Sequence, residues 1–295
     1  MRVQELLVVL GLVGLVPRAS AQGVEVDHGL VYRRIGARAL MLDVYRPRDA
    51  GAVARPAVVC VHGGSWDSGD RWQLAEAARD LAGRGFVAAT VDYRLSGEAP
   101  FPAAVVDVRA AVRWLAARGP RFGLDPARIG VFGPSAGGHL ALLVATLPPA
   151  RGDERPRTVE ACAAWCAPAD LVRGITDGDA IPAASLAVVE RFLGASYGAR
   201  PDLFTLASPA AHVTRNTPPL FLAYGDHDLV VPFSQANYMM EAAARRGVDA
   251  TLVRVRNGGH DFDERRADPS RADVWEQTIA FFERRLAPAL RADAR

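Results

Sequence analysis

The sequence predicts an α/β fold, a mostly parallel sheet with helices on both faces, on three observations. Short β-branched apolar runs alternate with longer stretches of helical periodicity along most of the chain, the order that makes helices the crossovers between parallel strands. The interior runs, such as 57–61 and 220–224, are continuously apolar rather than alternating, as strands buried on both faces must be. The chain has 295 residues, half of them apolar and 23% charged. That length suffices to bury roughly 75% of the unfolded surface without a metal or disulfide staple.

Taken in order, the chain opens with an 11-residue apolar run at 6–16, preceded by Arg2 and followed by Ala19-Ser20-Ala21. A membrane span takes about 20 residues, so this run is too short to cross a bilayer. Small residues at −3 and −1 predict a signal peptide, residues 1–21, cleaved after Ala21, and a secreted or periplasmic protein. Glu5 is atypical of such a leader, and a buried N-terminal helix is the alternative. Eight strands are predicted at 24–33, 39–46, 57–62, 87–91, 129–133, 159–165, 220–225 and 251–256. The first two alternate and should form an antiparallel edge. Helical periodicity covers 71–84, 103–118, 136–146, 234–246 and 271–286. In the second of these, Val105, Val108, Ala111, Val112 and Leu115 recur at steps of three and four and make one buried stripe. Between 167 and 218 the alternation stops amid prolines and glycines, with a single helical segment at 182–193. A strandless stretch of ~50 residues is too long for a simple loop. It reads as a cap or lid insertion, at about 167–217, in one domain spanning 22–295.

Composition removes several classes of function. All 35 basic side chains are Arg and nearly balance 33 acidic ones, for a net charge of +2. No basic footprint for nucleic acid exists. After the leader no run of 18 apolar residues occurs, so no stable membrane insertion is expected. Three cysteines, Cys60, Cys162 and Cys166, do not make a disulfide framework; Cys162 and Cys166 are read as free, buried thiols. No His/Cys/Asp cluster has metal-ligand spacing, and neither a metal nor an organic cofactor is expected.

The richest stretch is Gly133-Pro134-Ser135-Ala136-Gly137-Gly138-His139, with a buried strand before it and a helix of small residues after it. A nucleophilic serine needs such a strand-to-helix turn, which projects its hydroxyl above the sheet. Gly133 and Gly137 are required where strand and helix backbones come too close for a Cβ. The helix N-terminus offers unpaired N–H groups to an oxyanion. The base and acid should follow in the order acid, then histidine. His260, in the glycine-rich loop after the last strand, is the expected base. Asp228, in Gly-x-x-Asp-x-x-Val-Pro after the strand at 220–225, is the preferred acid and Asp226 the fallback. His212 and His227 are assigned packing or surface roles. His62, which precedes Ser135, is read as a brace for its loop rather than a second base. The run His62-Gly63-Gly64-Ser65-Trp66 follows the third strand. Its glycines let consecutive N–H groups point inward, so Gly64, Ser65 and Ala136 are the expected oxyanion-hole donors. Trp66 and Trp72 flank the loop. Trp66 is a candidate substrate wall for a sugar or cinnamoyl ring; packing of the loop against the cap is the alternative. Asp107, Arg94 and His139 are read as structural, with His139 bracing the serine turn.

His-Gly-Gly-x-Trp, Asp92-Tyr93-Arg94-Leu95, Gly-x-Ser-x-Gly-Gly-His, Gly-x-x-Asp-x-x-Val-Pro and Gly-Gly-His occur in this order. With that set the chain resembles the α/β-hydrolase superfamily over residues 24–287. It is similar to the esterase branch that includes hormone-sensitive-lipase-like carboxylesterases, and to bacterial bifunctional esterases that remove acetyl and feruloyl groups from plant polysaccharide. The resemblance implies a Ser135–Asp228–His260 triad, an acyl-enzyme, and small-molecule or carbohydrate ester substrates. It departs at Ser65, where lipase-like sequences often carry a third glycine. A Cβ there narrows the acyl side. Two other functions fit the same sequence: an amide hydrolase of arylformamidase or peptidase type on the same triad, and an inactive hydrolase-fold binding protein, which typically lacks a triad member.

Overall fold

The computed structural model describes residues 23–48, 54–148, 159–177, 182–262 and 265–286. The leader expected at 1–21 lies outside the described residues. The elements run β1 (Val24–Ile35), β2 (Arg38–Pro47), β3 (Arg55–Val61), α1 (Ala75–Gly83), β4 (Val87–Val91), α2 (Ala103–Ala117), α3 (Gly119–Phe122) and β5 (Leu124–Pro134). They continue with α4 (Ala136–Thr146), β6 (Ala161–Trp165), α5 (Arg173–Thr176), α6 (Ala183–Leu193), α7 (Pro201–Leu206), β7 (Leu220–Gly225), α8 (Ser234–Arg246), β8 (Ala250–Val255) and α9 (Arg271–Leu286).

The eight strands form one sheet in the order β1-β2-β4-β3-β5-β6-β7-β8. β2 is antiparallel to both β1 and β4, and every other neighbouring pair is parallel. The alternating first strands therefore make the antiparallel edge, and the continuously apolar ones make the parallel centre. This is the open sheet of an α/β-hydrolase fold.

Side chains leave each strand alternately to the two faces. In β3, Ala57, Val59 and Val61 join the core under α2, α4 and α8, whereas Val58 and Cys60 join the core under α1 and α9. The α2 stripe expected from periodicity is fully covered. Every residue of α4 is buried, because this helix lies against the middle of the sheet, where the serine turn delivers it. All three cysteines are free and buried.

Two boundaries, and the number of helices in the insertion, differ from the sequence reading. The helix expected at 71–84 begins as a 3-10 turn, Arg71–Leu74, and becomes α-helical only at Ala75. Here the Asp70 side chain accepts from the Trp72 N–H at 2.9 Å, while Arg71 turns inward to Asp43 and Asp92 at 2.9 and 3.0 Å. β5 starts at Leu124, five residues early, through an irregular pairing with Arg55 on β3. A proline at 126 within that start hides it from a propensity reading. Between β6 and β7 stand α5, α6, α7 and a 3-10 turn at Pro209–His212, with no strand among the described residues.

Candidate active site

Ser135 sits where β5 ends and α4 begins, with φ 53° and ψ −125°, a region that L-residues enter only under constraint. The constraint is visible in the glycines around it. A Cβ on Gly137 would lie 2.0 Å from the Val61 carbonyl oxygen, and one on Gly133 would lie 2.4 Å from the Gly137 carbonyl carbon. Both contacts are with backbone, so nothing can swing aside. The Ser135 N–H is tied to the Trp165 carbonyl at 2.7 Å, which locks the turn onto the end of β6.

The hydroxyl of Ser135 lies 2.9 Å from His260 Nε2, and His260 Nδ1 lies 2.7 Å from Asp228 Oδ2. A carboxylate oxygen only accepts, so Nδ1 carries the proton and donates. Nε2 is then left to accept from the Ser135 hydroxyl. The other Asp228 oxygen accepts from the backbone N–H groups of Val230 and Val231 at 2.8 and 2.9 Å. Its side chain is wholly shielded from solvent, and that of His260 is 10% exposed. The loop geometry comes from close backbone packing: a Cβ on Gly225 would meet the Gly258 carbonyl oxygen at 2.2 Å. The loop that bears His260 is thereby pressed against the end of β7, which leads to Asp228.

Asp226, the fallback acid, points elsewhere and pairs with Arg254 at 3.1 Å. His227 is exposed, and His212 bonds the Leu206 carbonyl at 2.9 Å within the insertion. His62 is buried, with Nδ1 at 2.7 Å from the Gly63 carbonyl oxygen and its ring stacked on Tyr93 at 4.2 Å. Burial pushes its imidazole below the ordinary range, partly countered by the bond to Gly63. Its contacts are those of a brace.

The loop after β3 is held in an unusual shape. Gly64 has φ +103°, and Ser65 and Trp66 follow at 56° and 58°. The N–H groups of Asp67 and Ser68 both donate to the Gly64 carbonyl at 3.0 Å, which folds the loop into a tight turn. Among the described residues no protein acceptor bonds the backbone N–H of Gly64, Ser65 or Ala136. The motif Asp92-Tyr93-Arg94 at the end of β4 anchors the surroundings. Asp92 accepts from Arg71, Tyr93 donates to the His62 carbonyl at 3.0 Å, and Arg94 forms a two-pronged pair with buried Asp107. Arg33 adds a further contact to Asp107 at 2.7 Å. Asp107 and Arg94 are thus structural partners of each other.

Trp66 is only 3% exposed. Its ring stacks on Phe192 of α6 at 4.5 Å, and its Nε1–H donates to His139 Nδ1 at 3.2 Å. These contacts describe packing of the loop against the insertion, the second of the two roles considered for it. Trp72 is 59% exposed, with the Arg71 guanidinium 4.5 Å from its ring centre.

Sequence reasoning missed Cys166. Its thiol donates to the His260 carbonyl at 3.0 Å, and its sulfur, Asp228 and His260 bring ligand-type atoms within 4.8 Å of one another. The donor set is already spent: both Asp228 oxygens and both His260 nitrogens have partners. Burial, reinforced by Asp228, holds the thiol protonated far above the ordinary range. The cluster is a hydrogen-bonded network rather than a metal centre. The one signal available in the sequence was position, since Cys166 directly follows the end of β6.

The family model BD-FAE matches residues 42–242 of the chain, a span that holds the serine turn, the Gly64–Ser65 loop and Asp228. The chain belongs to the BD-FAE family. The chain is 32% identical to Esterase LipC of Mycobacterium tuberculosis, over 83% of this chain and 62% of the relative. It is 31% identical to Esterase LipQ of the same organism, over 83% of this chain and 58% of the relative. The chain therefore spans about three-fifths of the length of these two relatives. Among solved structures it superposes on the thermophilic esterase Est2 of Thermogutta terrifontis with TM-score 0.73 and 28% identity, covering 91% of this chain and 95% of that one. A truncated carbohydrate esterase from gut microbiota shares the fold at TM-score 0.75 and 24% identity, covering 90% and 98%. No helix among the described residues of this BD-FAE member is long and apolar enough to cross a membrane.

Proposed function

We propose that the protein is a serine carboxylic-ester hydrolase that works through an acyl-enzyme. The observation that carries this reading is the relay from Asp228 through His260 to Ser135, with both links at 2.9 Å or less. His260 takes the Ser135 proton as the hydroxyl attacks the ester carbonyl, and Asp228 holds the imidazole tautomer and stabilises its cation. The tetrahedral oxyanion rests on the N–H groups of Gly64, Ser65 and Ala136, donors of a kind worth about 3–4 kcal/mol each in the transition state. His260 then protonates the leaving alcohol, and in the second half activates water to release the acid and regenerate Ser135. No bound cofactor enters any of these steps.

The substrates are short acyl or aromatic esters, of the acetyl or feruloyl type, on carbohydrate or small molecules. Support for short acyl groups comes from Est2 of Thermogutta terrifontis, whose structures include propionate-bound and butyrate-bound forms. The N-terminal run at 6–16 with Ala19-Ser20-Ala21 supports export, and residues 167–217 act as the cap. Est2 also has a form phosphonylated by sarin, which suggests the assay. Wild-type protein should hydrolyse p-nitrophenyl acetate and take up one fluorophosphonate per chain. Ser135→Ala should keep the fold by circular dichroism, lose the label, and lose kcat by about 10³-fold or more. Labelling or near-full turnover in that variant would sink the reading.

A further inference from the structure

Building on the esterase reading above, we propose that His139 is a positioning residue for the oxyanion loop. It holds the indole of Trp66 and, through it, the Gly64 and Ser65 N–H groups in the geometry the transition state requires.

His139 stands one helical turn beyond Ser135, its own N–H bonded to the Ser135 carbonyl at 2.9 Å. The ring is completely buried, yet both nitrogens are used. A carbonyl oxygen only accepts, so the 2.7 Å contact to Ala207 O makes Nε2 the protonated nitrogen. Nδ1 is then a bare acceptor for the Trp66 indole N–H. The two partners fix one neutral tautomer, and burial, which pushes this imidazole down to about 4, keeps it neutral at working pH. If volume alone were needed, an apolar side chain would serve without leaving polar groups to satisfy.

What the ring holds is strained. Ser65 and Trp66 are consecutive non-glycine residues in the left-handed region, a conformation that persists only when neighbours over-determine it. Trp66 is restrained at three points: its carbonyl by the Ser96 N–H and hydroxyl at 2.7 and 3.0 Å, its face by Phe192, and its N–H by His139. Ala207 lies in the segment between β6 and β7, so His139 joins the serine turn, the oxyanion loop and the insertion. Releasing the indole lets the strained pair relax and carries the donors off the oxyanion. The oxyanion develops only in the transition state, so these donors contribute little to binding the ester itself. The loss should therefore fall on kcat and not on KM.

The test uses His139→Leu, His139→Asn and Trp66→Phe, with substrate kinetics and the affinity of an alkyl boronic acid, which mimics the tetrahedral state. His139→Leu should lower kcat by about 10- to 100-fold, the range a displacement of ~1 Å costs. KM should stay near wild type, and boronate affinity should fall by the same factor as kcat. Asn places an oxygen where Nδ1 was but cannot reach Ala207. His139→Asn should therefore recover most of kcat while its melting temperature drops alongside that of the Leu variant. Trp66→Phe should reproduce the kcat loss in wild type and add nothing to His139→Leu. If His139→Leu does not fold, the Asn and Phe variants carry the test. Unchanged kcat in Trp66→Phe overturns the proposal, as does a kcat loss in Asn equal to that in Leu. An active Ser135→Ala overturns the esterase reading itself. An inactive Ser135→Ala beside fully active His139 and Trp66 variants overturns only the role of His139.

Discussion

Asp226 and Asp228 stand two positions apart after the same strand, and geometry separates them completely. Asp228 accepts from two backbone N–H groups and from His260, whereas Asp226 faces Arg254. Asp228→Asn should keep the loop but present an amide that can donate to Nδ1, favouring the wrong tautomer, with a loss in kcat of about 10⁴-fold. Asp226→Asn should leave kcat/KM close to wild type, and steady-state kinetics on both variants decides between them. Gly137 makes a different kind of point. An alanine Cβ there would stand 2.0 Å from a carbonyl oxygen of β3, so Gly137→Ala should destabilise by more than ~3 kcal/mol in a denaturant titration, at the upper end of overpacking costs. Ser135, His260 and both candidate aspartates were visible in the sequence because motif glycines and strand ends announce them. The contact of Cys166 with the His260 loop was not, because a position just after a strand end says nothing of a partner 94 residues away.

Helix α6 shows how an element outside the sheet bears on the chemistry. Its Phe192 ring lies flat on Trp66, and its Arg191 pairs with Asp67 at 2.6 Å. The two contacts should not matter equally. Both partners of the ion pair are more than a third exposed, so Arg191→Ala should cost less than about 1 kcal/mol. Phe192 is buried, so Phe192→Ala should cost about 3–5 kcal/mol and should also lower kcat, since it strips one face from Trp66. Thermal melts with paired kinetics check both halves. The helical segment itself was legible at 182–193 from its periodicity, but its target was not, because hydrophobic spacing says which face is buried and never against what.

Acid sensitivity is a property of the whole fold. His139 is held neutral in the folded state with its pKa pushed by burial to about 4, while in the unfolded chain it titrates near 6.5. Between those values the unfolded state binds more protons, so stability falls as pH drops from about 6.5 to 4 and levels off for this group below that. The full displacement corresponds to roughly 3 kcal/mol. His62, also lowered by burial, adds in the same direction. Asp43 steepens the acid limb further. Burial alone would raise its carboxyl, but the Gly29 N–H, His28 and Arg71 hold it below the ordinary range, so its contribution is lost as pH falls through the folded value. Chemical denaturation at pH 7, 5.5 and 4 should show a monotonic decline, and His139→Asn should flatten it. A profile that rises toward pH 4 contradicts these assignments.

The alternation of apolar runs sufficed for the α/β class, the antiparallel edge and the order of the strands' chemistry, because local periodicity reports burial directly. The glycines of the serine turn were readable for the same reason, since each answers a steric demand of its neighbours. Which aspartate meets which histidine, and what Trp66, His139 and Cys166 touch, depended on chain segments 30 to 126 residues apart meeting above the sheet. Those contacts are set by strand order and crossover packing, quantities that no window of sequence contains.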